Sequence, residues 1–138
     1  MNVAQVIKRL KMAKKPDIQR ELILDAWENC DTFFVGLQMS CDKDTVIPLE
    51  KVPEIPQDDG AESDFTFNDF LRLYDEITQV GMDPAKAREL VIDAAMIADV
   101  AEWNTFYRRI LLRKLQDDVP MELIVEVLQE LTGFEFQL

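Results

Sequence analysis

The sequence predicts an all-α fold, and three observations carry that reading. Apolar residues recur three and four positions apart through most of the chain. Helix start and stop residues bracket those stretches. Only one long segment, residues 41–65, breaks the rhythm. The expectation is a compact multi-helix domain of about seven helices spanning residues 1–138, with one long acidic, proline-containing loop within it. A chain of 138 residues is long enough to bury a real core, and no repeat of fixed period divides it.

The elements follow in order. Val3, Val6, Ile7 and Leu10 fall on one helical face, with Lys8, Arg9 and Lys11 opposite. That helix ends near Lys14-Lys15, and Pro16-Asp17 restarts the chain, since a proline is tolerated where its missing N–H has no partner. Ile18, Leu22, Ile23 and Ala26 make a second stripe, with Trp27 expected in the core. Asp31 is placed to cap a third helix carrying Phe33, Phe34, Leu37 and Met39. Residues 41–65 then hold Pro48, Pro53, Pro56, the Asp58-Asp59-Gly60 turn and many acids, which read as a partly ordered loop. Val46-Ile47-Pro48-Leu49 lacks the uninterrupted length of a strand. Such a loop serves either as a tether or as a binding element.

Thr66-Phe67-Asn68-Asp69 resembles a capping box with Asp in place of Glu. The helix it opens carries Phe67, Phe70, Leu71, Tyr74 and Ile77, with Gly81 as its stop. Asp83-Pro84 starts the next helix, with Leu90, Val91, Ala94, Ile97 and Ala98 on its apolar face. A further helix is expected over Ala101 to Leu115, with Trp103, Phe106, Ile110 and Leu111 at core spacing. Pro120 opens the last, through Leu123, Ile124, Val127, Leu128 and Leu131 to Gly133. The tail Phe134 to Leu138 alternates as a strand would and ends on apolar residues, which reads as the edge of a larger protein. The expected core is Trp27, Phe33, Phe70, Trp103, Phe106 and Leu111.

Composition narrows the chemistry. The chain carries 27 Asp and Glu against 15 Lys and Arg, a net charge of −12, and no His. Without His the commonest general base and metal ligand is missing, so triad and imidazole-zinc mechanisms are excluded unless another chain supplies it. Cys30 and Cys41 make no disulfide framework and read as reduced thiols of a cytosolic protein. No apolar run approaches the ~20 residues of a membrane span, and the charged N-terminus is no signal peptide. No membrane partner is expected. No GxGxxG or GxxxxGK[ST] motif cradles a nucleotide. The two cysteines lack companions for zinc, and Asp42-Lys43-Asp44 starts no complete calcium loop. The acids at 58, 59, 62 and 64 read as a solvated loop. No catalytic residue and no metal ligand is assigned, so a binding module is the expected class.

Charge is unevenly spread. Residues 1–20 carry six basic side chains against Asp17 alone, whereas residues 21–65 carry twelve acids against Lys43 and Lys51. A second basic group, Arg108, Arg109, Arg113 and Lys114, lies near the end. An acidic mean field repels phosphate, so two basic islands either confine contact to one face or are merely solvated helix faces.

The stretch Trp103-Asn104-Thr105-Phe106-Tyr107-Arg108-Arg109-Ile110-Leu111-Leu112-Arg113-Lys114-Leu115, followed by Gln116-Asp117-Asp118-Val119-Pro120, resembles the N-terminal DNA-binding domain of ATP-dependent DNA ligases, especially the short phage enzymes. There a basic helix runs through a short turn into the next helix. The order upstream agrees: an amphipathic first helix, Met12 to Gln19 in place of a Ser/Thr/Lys-rich turn, a Leu-rich second helix, an aromatic third helix and a Pro-rich loop. Phe65 to Phe70 is similar to the helix start that follows that loop. The resemblance spans nearly the whole chain, on degenerate motifs.

The resemblance implies an all-helical domain that holds nicked double-stranded DNA across the minor groove, with turn amides and basic side chains on phosphates. It implies Lys11, Lys14, Lys15, Arg108, Arg109, Arg113 and Lys114 as DNA-binding residues. Three positions depart from the family pattern: Asp118 replaces a turn Gly, Pro120 replaces the Ser that opens the last helix, and Glu126 replaces a Lys. These departures imply a weaker or displaced contact at the second turn. The adenylylated lysine of a KxDG setting is absent, so ATP and Mg2+ are implied only for a catalytic region outside this chain. A monomer in the cytoplasm of a bacterial cell or phage-infected host is the expected setting. The competing reading is an acidic helical adaptor that binds a protein. A small hydrolase using paired carboxylates is the third.

Overall fold

The computed structural model describes residues 2–56 and 63–133. The expected turn at residues 58–60, the acids at 58, 59 and 62, and the tail at 134–138 lie outside them. Among the described residues there are seven helices and no strand: α1 (Val3–Met12), α2 (Pro16–Asn29), α3 (Thr32–Cys41), α4 (Phe67–Ile77), α5 (Pro84–Ile97), α6 and α7 (Met121–Thr132). Helix α6 is continuous but not uniform. Val100–Glu102 leads into a π-helical segment, Trp103–Tyr107, which returns to α-helix over Arg108–Leu111.

Local chemistry explains most boundaries. Asn2 and Gln5 form a reciprocal capping box on α1, at 2.9 and 3.0 Å. Thr66 and Asp69 do the same on α4, with Asp69 serving as the acidic partner. Asp83 caps α5 through Ala85 N, and Pro84 takes the first helical position. Gly133, at φ 72°, closes α7.

Several boundaries and placements differ from the sequence reading. Ile18, Ile97 and Leu131, read as members of apolar stripes, are 45%, 64% and 44% exposed, each lying where its helix face leaves the core. Asp31 stands before α3 but makes no side-chain cap bond; its carbonyl accepts from Phe34 and Val35 N instead. Helix α4 stops at Ile77, and Gly81, at φ 83°, serves the turn closed by Met82 N on Gln79 O. Pro120 is the cap of α7 and not its first residue. Helix α6 ends at Leu111 and not Leu115. There Arg113 N donates to Ile110 O and Lys114 N to Arg109 O, both at 2.9 Å, which is the paired closure of a Schellman motif. Its left-handed residue is Arg113, at φ 59°, where glycine is usual. Finally, Trp27 is 36% exposed and not in the core, packing edge-on to Phe34 with ring centres 5.3 Å apart, whereas Ile23 and Ala26 before it are fully buried.

The rest of the expected core is buried: Phe33, Phe70, Trp103 and Phe106 have no exposure, and Leu111 has almost none. Helix α6 is the central element, packed against α1 and α3. Phe70 stacks on Tyr107 with ring centres 4.7 Å apart, and Phe67 leans on Phe106. Gly36 on α3 faces Phe106 and Ile110; an added Cβ would lie 2.8 Å from Ile110 Cδ1.

The loop after α3 has no helix or strand over residues 42–56, yet it is strapped to α6. Trp103 Nε1 donates to Pro53 O at 2.7 Å. Asn104 bonds both backbone groups of Ile55, accepting from its N–H at 2.9 Å and donating to its carbonyl at 2.7 Å. Val52 is buried, and Ile47, Leu49 and Ile55 pack on the core. Side chains on α6 satisfy loop backbone groups that have no ladder to join.

Candidate nucleic-acid interface

The two basic islands, about a hundred residues apart in sequence, meet in space. Their junction is Asp118, the last residue of a 3₁₀ turn (Leu115–Asp118). Arg109 binds its carboxylate through two bonds, Nε to Oδ2 at 2.6 Å and Nη2 to Oδ1 at 3.0 Å. Lys11 Nζ, from the end of α1, lies 3.9 Å from the same Oδ1. Arg109 Nη2 also reaches Lys114 O at 3.3 Å. Lys11, Lys14, Lys15 and Lys114 are exposed. No side chain caps α2, whose entry is Lys15 followed by Pro16. Gln19 Nε2 donates to Ala13 O at 3.0 Å, pinning the short turn that carries Lys14 and Lys15.

The other two arginines of the second island point elsewhere. Arg113 donates to Met39 O, to Thr45 O at 2.5 Å and to the Tyr74 hydroxyl at 3.2 Å. It joins the end of α3, the start of the loop and α4, and this explains an arginine in left-handed conformation. Arg108 is half-buried, with Nε 3.4 Å from Val52 O. The island is thus two arginines holding backbone carbonyls, one paired with Asp118, and one exposed lysine.

Two of the three departures from the family pattern have ion-pair partners, and the third has none. Asp118 is neutralised by Arg109 and Lys11. Glu126 lies 3.6 Å from Arg20, which also binds Glu130 at 2.5 Å, tying α2 to α7. That guanidinium holds the Glu130 carboxyl below its ordinary range. Pro120 leaves the start of α7 without a cap side chain, and Glu122 adds a negative charge to its first turn. A helix start with an acid and no polar cap offers little to a phosphate.

Several positioning residues escape the sequence reading. Buried Ser40 donates to Gln116 Oε1 at 2.5 Å and accepts from Leu115 N at 3.1 Å, fixing the 3₁₀ turn to α3. A lone serine on an apolar helix was the available signal. Asn104 and Arg20 carry no local signal, since their partners are 49 and 110 residues distant. On another face, residues 47–53 of the loop and Pro84, Arg88 and Ile92 of α5 border an open groove of about 930 Å³. At the end of α5, Met96 and Ile97 are 74% and 64% exposed.

Acid–base chemistry is sparse. Burial pushes the Glu102 carboxyl up, neighbouring Asp99 adds to this, and the Tyr107 hydroxyl donating at 3.4 Å opposes it. Burial likewise raises the Cys41 thiol, and Cys30 is buried; both are free. Among the described residues no group of three or more His, Cys, Asp or Glu is arranged to hold a metal ion. No described helix is long and apolar enough to cross a membrane.

The described residues thus form an all-helical domain in which two basic segments meet at one turn. No protein-family model and no curated protein matches this sequence. Among solved structures, Pmar-Lig_PreS3 superposes with a TM-score of 0.81 at 25% identity over 98% of this chain. Pmar-Lig_Pre. superposes at 0.79 and 26% identity over 93%. The fold is ligase-related. The chain spans 31% and 29% of the lengths of those two structures.

Proposed function

We propose that this chain is the DNA-binding domain of an ATP-dependent DNA ligase, holding nicked duplex for a catalytic region outside this sequence. The observation that carries the reading is the likeness to the two Pmar-Lig structures over nearly the whole chain. The meeting of the basic islands at Asp118 favours one contact face, with Lys11, Lys14, Lys15 and Lys114 as exposed cations and Arg109 at its centre. Such cations would engage backbone phosphates and release counterions, which makes affinity fall with salt. Arg108 and Arg113 would act from behind, by holding the loop and the turn. ATP and Mg2+ would serve the catalytic region, since no lysine here stands in a KxDG setting. The domain would act as a monomer on DNA.

The test is fluorescence anisotropy of a nicked duplex titrated with the chain at two salt concentrations, with intact duplex as control. Tighter binding to the nicked duplex that weakens steeply with salt is the expected result. Equal affinity for both duplexes, or no binding at low salt, would overturn the reading. A protein-binding adaptor is favoured instead by the exposed Ile92, Met96 and Ile97 of α5. That reading requires no salt-sensitive DNA binding and a defined protein partner bound through α5.

A further inference from the structure

We infer that Asp118 is a built-in counter-ion that occupies the phosphate-binding fork of Arg109 and holds the affinity of this face for DNA below what its cations could deliver. The inference rests on the DNA-binding reading and adds a restraint to it. The Nε and Nη2 edge of a guanidinium presents two parallel N–H groups, which two oxygens of either a carboxylate or a phosphate can accept. In this chain both are taken by the two oxygens of Asp118, at 2.6 and 3.0 Å.

The third charge is Lys11, 3.9 Å from Oδ1, so one internal anion sits between one cation from each basic island. The fork is at the surface and not sealed: the Arg109 and Asp118 side chains are 22% and 13% exposed. An incoming phosphate oxygen therefore meets a carboxylate already in its place, which also offsets one of the two cations that would attract it. Arg109 has a second anchor independent of Asp118, its bond to Lys114 O at 3.3 Å. Removing the carboxylate charge would free the fork while that anchor holds the arginine at the turn. Asp118 ends a 3₁₀ turn whose first residue is fixed by Ser40, so the carboxylate is delivered by a rigid element.

The experiment compares the full chain with Asp118→Asn, Arg109→Gln and the double variant in nicked-duplex anisotropy over a salt series. Thermal denaturation of each verifies folding, and Asp118→Ser serves where Asn disturbs the turn. Asp118→Asn is expected to bind about threefold to tenfold tighter, with a log affinity against log salt slope steeper by roughly 0.9, the value of one added phosphate contact. Arg109→Gln is expected to cost more affinity in the Asp118→Asn background than in the wild type. A folded Asp118→Asn chain with unchanged or weaker affinity and an unchanged slope would overturn the inference.

Inorganic phosphate, titrated while the Arg109 Nε–H resonance is followed by NMR, separates the two readings. If no variant binds nicked duplex but phosphate moves that resonance at lower concentration in Asp118→Asn than in wild type, the DNA reading fails and the counter-ion stands. If duplex binding is intact and the resonance ignores phosphate in both, the counter-ion fails and the DNA reading stands. If neither probe responds, both fail.

Discussion

The two basic islands are alike in charge and differ in what they do. Lys11, Lys14 and Lys15 project from the end of α1 and the turn after it, exposed to solvent. Arg108 and Arg113 instead turn back and donate to carbonyls of Val52, Met39 and Thr45. The difference lies in the side chains and their neighbours. A guanidinium has five donors in a flat fork and can satisfy several backbone acceptors at once, whereas an ammonium is a strongly hydrated point charge. The long loop has carbonyls with no helix or sheet N–H to accept from, and Arg108 of α6 and Arg113 in the turn just after it donate to them. A basic cluster beside an irregular segment can therefore be scaffold, and only the cations left over are free to meet a ligand.

The largest effect expected from this contrast is at Arg113. Arg113→Ala would remove the donors to Met39, Thr45 and Tyr74 and leave a β-carbon in a left-handed site. Charged hydrogen bonds are worth about 1.5–3 kcal/mol each, and these share one side chain, so a loss of roughly 3 kcal/mol in a denaturant titration is expected. Arg113→Lys would recover only part of it. A loss within about 0.5 kcal/mol, the range of an ordinary surface site, would return Arg113 to the pool of free cations.

Asn104 comes next. Asn104→Ala would leave the N–H and C=O of Ile55 without their side-chain partner, a cost of about 1–3 kcal/mol for half-buried backbone groups. Hydrogen exchange should speed up at Ile55 far more than in α1. Uniform exchange across both would mean that the strap is not an independent feature of the loop.

These two residues mark the limit of what is legible in the sequence. Helix number, the capping box at Thr66, the Asp83 cap and the buried faces of α1, α4 and α7 follow from local periodicity and capping chemistry, which a sequence displays directly. The end of α6 does not. Leu112 to Leu115 continues a favourable helical pattern, and the chain turns there because Arg113 finds acceptors 74 and 68 residues away. Trp27 misleads as well: composition favours burial, yet its ring only leans edge-on against Phe34 of α3 and stays 36% exposed. Within the candidate site the basic residues are visible in the sequence. Their sorting into paired, half-buried and exposed is not, since it depends on partners distant in sequence: Asp118 for Lys11, and Val52, Met39 and Thr45 for Arg108 and Arg113.

The exposed lysines should behave in the opposite way to Arg113. Lys14→Ala with Lys15→Ala is expected to change stability by less than about 0.5 kcal/mol. Under the proposed function it would flatten the salt slope of nicked-duplex binding by about 0.9 for each phosphate no longer engaged. Unaltered DNA affinity in a folded double variant would remove the first island from the interface and leave the face to Lys11, Arg109 and Lys114.

The smallest effect expected is a pH dependence that separates the buried α6 side from the exposed caps. Glu102 has its carboxyl raised by burial first and by Asp99 second. A raised acid binds its proton more tightly when folded, so its charged form destabilises the fold at pH values above the folded pKa. That penalty fades as pH falls toward 4.5, the ordinary value for the unfolded chain. Asp42 and Asp69 run the other way. Asp42 is lowered chiefly by the Thr45 hydroxyl, and Asp69 by the Thr66 backbone N–H. Their contribution is present above 3.8 and is lost as pH falls below it through their folded values. Glu102→Gln should therefore raise the melting temperature near neutral pH, with the advantage shrinking as pH is lowered toward 4.5. Asp69→Asn should lower it near neutral pH, with the deficit closing only below 3.8. If the Glu102→Gln advantage were flat across this range, the carboxyl would be acting through packing and not through its charge.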